Sequence, residues 1–174
     1  MNSSGAGPDG AGFDPIDDAI ARIREGGMVI VVDDEERENE GDIIFAAEKT
    51  TPELVNFLAK EARGLVCVAA ERDHLERLEL YPMAHRNTSR LGTRFTVSID
   101  AVRGTTTGIS AGDRAETIRQ FVARDTRPDD LARPGHVFPL QAVAGGVLKR
   151  AGHTEAAVCL LYTSDAADDQ GLGE

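Results

Sequence analysis

The sequence predicts an α+β domain. Short apolar runs of strand length alternate with helices of 3.6-residue period, without the strict strand–helix–strand spacing of a parallel α/β fold. At 174 residues the chain fits one domain. The 5% aromatic content, with no Trp, predicts an aliphatic core.

The elements follow in order. Residues 1–12 are Gly- and Ser-rich and read as a flexible lead-in. Their G-x-G-x-x-G match at Gly5–Gly10 has no preceding strand and carries no nucleotide signal. Asp14 with Pro15 opens a helix that buries Ile16, Ile20 and Ile23, and Gly26-Gly27 ends it. Residues 28–32 form a buried strand, 33–42 its loop and 43–47 a second strand, so the two make a hairpin. Thr50 or Thr51 caps the next helix, with Pro52 at its first position and Gly64 beyond its end. "LVCVAA" (65–70) is a further buried strand. "RFTVSID" (94–100) alternates Phe95, Val97 and Ile99 inward. Asp113 with Glu116 marks a capping-box-like start for another helix. Thr154 caps a short helix from Glu155.

The net charge of −11 argues against binding a nucleic-acid backbone. The longest apolar runs are about five residues, against ~20 for a membrane span, and no secretory signal is visible. The expectation is a cytoplasmic protein with no membrane partner. Cys67 and Cys159 form neither a metal-ligand spacing nor a disulfide framework.

Four segments carry chemistry. "DDEERENEGD" sets seven carboxylates within ten positions, 33 to 42. Such a run needs either full solvation or a cation, and oxygen ligands suit Mg²⁺ or Mn²⁺ better than Zn²⁺. Arg37 within it is either a local ion pair or a donor to an oxygen-rich ligand. "RPGHVFPL" places His136 on a tight turn, as a structural histidine or a proton-transfer group. "LKRAGHTEAAV" sets Arg150, His153 and Thr154 before a helix, as a phosphate cradle or an ordinary cap. "GTTTGISAGD" (104–113) is an anion-binding or simply polar loop. Together they suggest proton-shuffling chemistry on a sugar phosphate.

These motifs, with "FTVSID" and "TTTGISAGDRAETIR", closely resemble 3,4-dihydroxy-2-butanone 4-phosphate synthase of riboflavin biosynthesis over residues 13–158. The resemblance implies a single α+β domain and a homodimer with active sites near the subunit interface. It implies conversion of D-ribulose 5-phosphate to L-3,4-dihydroxy-2-butanone 4-phosphate and formate with Mg²⁺ or Mn²⁺. Carried over by motif, Glu38 and His153 are metal ligands. Arg37, Glu38 and Asp42 contact the sugar, and Arg150, Ala151, Gly152, His153 and Thr154 its phosphate end. His136, Glu38 and Cys67 form the catalytic group, Cys67 lining the site. Glu40 and the 33–36 run are read as supporting or merely solvated.

The 13–158 domain is expected to be incomplete, with 159–174 ("CLLYTSDAADDQGLGE") a tail outside the family pattern. The family places a catalytic Glu on a later strand. Glu174 falls near that distance, but "DDQGLGE" does not resemble that strand, so the role is not transferred. The alternative function is an inactive homologue that only binds divalent metal or sugar phosphate.

Overall fold

A computed structural model describes residues 12–168; the expected lead-in lies almost wholly outside them, as does Glu174. The expected α+β organisation is present. Helix α1 (Ile16–Arg24) leads into strands β1 (Val29–Val32) and β2 (Gly41–Ile44), then α2 (Pro52–Phe57), which continues as a π-helical turn over Leu58–Ala62. Strand β3 (Cys67–Ala70) and helix α3 (Arg72–Arg77) follow, then β4 (Ile99–Ala101), α4 (Ala111–Val122), β5 (Leu131–Gln141) and α5 (His153–Asp168). Helix α3 has no counterpart in the sequence reading.

The antiparallel hairpin β1–β2 stands apart from a three-stranded sheet ordered β3-β5-β4, parallel between β3 and β5 and antiparallel between β5 and β4. The larger sheet packs with α2, α3 and α4 around Val55, Val68, Leu78, Ile99, Ile118, Phe121 and Val137. A second cluster of Ile23, Ala46 and Leu160, with Val29 and Val31 against it, joins the hairpin to α1 and α5. Phe121 is the only aromatic among the buried hydrophobic residues described, which matches the aliphatic core expected from composition.

Several boundaries differ from expectation. Pro15 caps α1 rather than sitting at its first turn, because its extended backbone (ψ 143°) lies outside the helix. The β1 strand is only half buried. Val29 and Val31 face inward, whereas Ile30 is 70% and Val32 50% exposed, since a two-stranded ribbon has one covered face. Strand β2 begins at Gly41, not Ile43, and its register pairs Asp42 with Val31. Of the two caps expected for α2 the chain uses Thr51, as the sequence allowed, its hydroxyl accepting from Leu54 N at 3.3 Å.

The 94–100 segment buries Thr96 and Ser98 as well as Ile99. Their hydroxyls are used by β5: Thr96 Oγ1 donates to Pro139 O at 3.0 Å, and Ser98 Oγ accepts from Gly135 N at 3.1 Å. Satisfied hydroxyls can be buried at little cost, so the apolar alternation misjudged the covered face.

Helix α4 starts one turn early, capped by Ser110. Asp113 sits in its first turn instead, buried, and accepts from Thr106 N, Thr106 Oγ1 and Gly108 N at 3.1, 2.7 and 3.0 Å. The anion that the 104–113 loop's N–H groups hold is therefore the chain's own carboxylate. These bonds hold the Asp113 carboxyl below the usual range, with the Thr106 hydroxyl the largest cause. Helix α5 begins at His153, two residues before the expected start, and runs to Asp168, through the first part of the expected tail.

Candidate active site

The acidic loop and the α5 turn converge because of the hairpin's pleat. Side chains alternate faces along a strand, so Asp42 shares the inward face with Ile44, opposite Val29 and Val31. That face meets α5, and Asp42 Oδ2 lies 3.8 Å from His153 Nδ1.

A cavity of about 470 Å³ opens there, lined among others by Glu38, Glu40, Asp42, Cys67, Thr93, Arg150, His153 and Thr154. Arg37, Ala151 and Gly152 are not part of its lining, nor is His136. Glu38 and His153 of this lining, with Asp33 beside them, each offer a ligand atom, all within 4.8 Å of one another. His153 Nε2 is buried and has no hydrogen-bond partner among the described residues. A buried imidazole grouped with two carboxylates is a donor set that suits a hard divalent cation such as Mg²⁺ or Mn²⁺.

Asp33 is a ligand candidate that the sequence reading left among the supporting or merely solvated acids. Its side chain is only 7% exposed. It accepts from Glu40 N and Glu38 N, both at 3.1 Å, and from Arg37 Nη1. Burial opposes its ionisation, but the Glu40 N–H, the Arg37 guanidinium and the Glu38 N–H together hold the carboxyl down at about 2. Of the two roles left open for Arg37, the structure shows the ion pair: Nη1 also reaches Glu38 Oε1 at 2.6 Å. Asp34, Glu35 and Glu36 are exposed, as expected for solvated acids.

Cys67 lines the cavity as expected. Burial, with Asp42 adding to it, pushes its thiol up to about 12. It is therefore a neutral wall or proton donor at neutral pH, not a thiolate nucleophile.

His136 is not on a tight turn. It lies within β5, because Gly135 lets the strand press against β4: a Cβ there would sit 2.0 Å from Ile99 C. The ladder is irregular at this point. Ile99 pairs with Val137 but Asp100 with Ala132, so residues 133–136 bulge out of register. Bulges re-aim side chains, and this one sets the Asp100 carboxylate against both His136 N (2.9 Å) and His136 Nδ1 (2.7 Å). Asp100 was invisible as a site residue in the sequence, being 36 positions away. The imidazole is 40% exposed at its side chain.

The description "3,4-dihydroxy-2-butanone 4-phosphate synthase" belongs to a family model that matches residues 17–169. The chain is 58% identical over 150 residues to a riboflavin biosynthesis protein RibBA of Aquifex aeolicus, covering 85% of this chain and 37% of that one. It is 59% identical over 145 residues to a 3,4-dihydroxy-2-butanone 4-phosphate synthase of Agrobacterium fabrum, covering 83% and 68%. The chain thus spans little more than a third of the first relative and about two thirds of the second. A crystal structure of a 3,4-dihydroxy-2-butanone 4-phosphate synthase in complex with two magnesium ions superposes with TM-score 0.86 at 47% identity, over 88% of this chain and 71% of that one.

Proposed function

Because the chain belongs to the 3,4-dihydroxy-2-butanone 4-phosphate synthase family, we propose that it is a lyase of riboflavin biosynthesis. Its reaction converts D-ribulose 5-phosphate into L-3,4-dihydroxy-2-butanone 4-phosphate and formate. The two products account for every atom of the substrate, so no further reactant is required. The observation that carries this reading is the meeting of Glu38, His153, Arg150 and Thr154 in one cavity, with Asp33 grouped against Glu38 and His153.

Glu38 and His153 would hold a divalent cation, Mg²⁺ or Mn²⁺, with Asp33 within reach. Bound there, the cation supplies Lewis-acid polarisation of the substrate's vicinal oxygens. Asp42 orients the sugar hydroxyls, Arg150 and Thr154 hold the phosphate end, and Cys67 excludes water without ionising. His136, steadied by Asp100, moves a proton.

His136 stands apart from the cavity of its own chain, which fits an active site completed by a second copy. The exposed apolar side chains Ile30, Val32, Tyr81 and Leu148 likewise suit a homodimer. Cytoplasmic placement belongs to the same proposal; no helix among the described residues is long and apolar enough to cross a membrane.

The test is formate release from D-ribulose 5-phosphate, with Mg²⁺ and with EDTA, by the wild-type chain and by Glu38→Ala. The enzyme reading requires metal-dependent formate that the substitution abolishes. A chain that melts cooperatively and binds metal, yet releases no formate, is a binding protein instead.

A further inference from the structure

One buried carboxylate has no part in the chemistry so far. Glu155, in the first turn of α5, is 1% exposed. Burying a carboxylate is costly unless both oxygens find fixed partners. Here Oε1 accepts from Val143 N at 2.9 Å, just beyond β5, and Oε2 receives Arg150 Nη1 at 2.6 Å.

The second contact closes residues 151–154 into a small ring between Arg150 and Glu155. Gly152 lies against the bridge, since a Cβ there would sit 2.2 Å from Arg150 Nη1 and 2.8 Å from Glu155 Oε2. Arg150 Nη2 meanwhile reaches Leu91 O and Thr93 Oγ1, each at 3.3 Å. Of the five guanidinium N–H donors, these three contacts leave two for a ligand. The direction in which Arg150 offers them is set by Glu155, not by the flexibility of a long side chain. His153, with its orphaned nitrogen, is carried on the same ring.

We propose that Glu155 is the positioning residue of this site: it aims Arg150 at the phosphate end of the substrate without touching the substrate itself. The proposal rests on the reading of Arg150 as the phosphate-binding arginine.

Glu155→Gln tests it. The amide keeps the volume and an acceptor for Val143 N, but turns an amide N–H toward the guanidinium. A charge-assisted bond of this kind is lost at roughly ten- to a hundredfold. KM for ribulose 5-phosphate is expected to rise by that factor, with kcat within about threefold. The affinity for inorganic phosphate, titrated by calorimetry, falls in parallel. In an Arg150→Met background, Glu155→Gln should change neither quantity further, because its effect passes through Arg150. Should Glu155→Gln fail to fold, Gly152→Ala drives the bridge apart sterically and should raise KM and weaken phosphate binding alike.

An unchanged KM and phosphate affinity in a folded variant, whatever its melting temperature, would overturn the proposal while wild-type formate release keeps the enzyme reading intact. Conversely, a wild type that releases no formate but binds phosphate, and loses it in Glu155→Gln, keeps the positioning role and removes the substrate assignment. A wild type that does neither refutes both.

Discussion

Asp100→Asn is the sharpest probe of the proton-moving group. The Asp100 carboxylate accepts two donors at once, the His136 backbone N–H at 2.9 Å and its ring Nδ1 at 2.7 Å. An ionised carboxylate only accepts, so Nδ1 carries the hydrogen and Nε2 is left bare to take a proton. Asparagine matches the shape but has a single acceptor oxygen. Whichever way the amide turns, one of the two donors faces an NH₂ group. The backbone N–H cannot change its chemistry, and stranding it costs about 1–3 kcal/mol. The ring can respond by moving its hydrogen from Nδ1 to Nε2. The amide therefore settles with its oxygen on the backbone and forces the tautomer that cannot act as a base. General acid–base catalysis contributes ~10²–10⁴ in rate, so kcat should fall by that factor, about 2.7–5.4 kcal/mol of barrier. KM should hold, because Asp100 acts only through His136 and is not part of the lining that holds Arg150 and Thr154. Steady-state formate release with saturating Mg²⁺ measures both, and His136→Gln should match the loss without adding to it. A folded Asp100→Asn with kcat within about threefold of wild type would sink the tautomer argument.

Three further outcomes follow from the geometry. Thr117 is fully buried and accepts from Ala101 N at 2.9 Å, tying α4 to β4 beside Asp100; Thr117→Val strands that N–H for about 1–3 kcal/mol. At ~2 kcal/mol per molar in urea the midpoint should drop by roughly 1 M, at one fixed protein concentration, and an unmoved midpoint would discard the contact as a stabiliser. Asp33 is held at about 2 against an ordinary 3.8, and a depressed carboxyl contributes stability above its unfolded value that disappears as pH falls through the folded one. In metal-free buffer the wild-type advantage over Asp33→Asn should be complete above about pH 4 and vanish near pH 2; a gap independent of pH contradicts the hydrogen-bonded loop. Finally, the Cys67 thiol at about 12 rather than 9.0 has roughly a thousandfold less thiolate below pH 9. Alkylation followed by peptide mass mapping should find it far slower in the folded chain than in urea, and equal rates would mean that the thiol is not held protonated.

What could be read from sequence was whatever local pattern encodes. The hairpin around the acidic run, the helix start at Thr50 or Thr51 with Pro52, and the strand holding Cys67 rest on spacing within a dozen positions. That Glu38 and His153, far apart in the chain, belong to one site came from the family resemblance. The misses are of another kind. Asp100 and His136 are 36 residues apart and meet only through a bulge in β5. Thr96 and Ser98 look like a solvent face until β5 supplies partners for their hydroxyls. Asp113 looks like a cap because an Asp ahead of a helix commonly is one; Ser110 outcompetes it, and the displaced carboxylate folds the preceding loop. In the first two cases a polar group found its partner across the fold, and in the third within the neighbouring loop, where no periodicity reports it.

The acidic run itself shows how such a segment remains foldable. Seven carboxylates in ten positions would repel by ~1 kcal/mol per close pair even in water. Three of them, Asp34, Glu35 and Glu36, simply stay in solvent. Asp33 is neutralised from within, by Arg37 and two backbone N–H groups. Glu38 shares the same guanidinium. The loop's charge is thus partly compensated from within the chain, by Arg37 and the Glu38 and Glu40 N–H groups. Arg37 then sets the terms of entry, since a cation drawing on Glu38 competes with an ion pair already made. Arg37→Gln should accordingly loosen the loop while giving Glu38 up more readily to Mn²⁺. Calorimetric titration of the metal into the substrate-free chain reads that exchange directly. Weaker Mn²⁺ binding in the variant would mean that Arg37 assembles the ligands rather than competing for them.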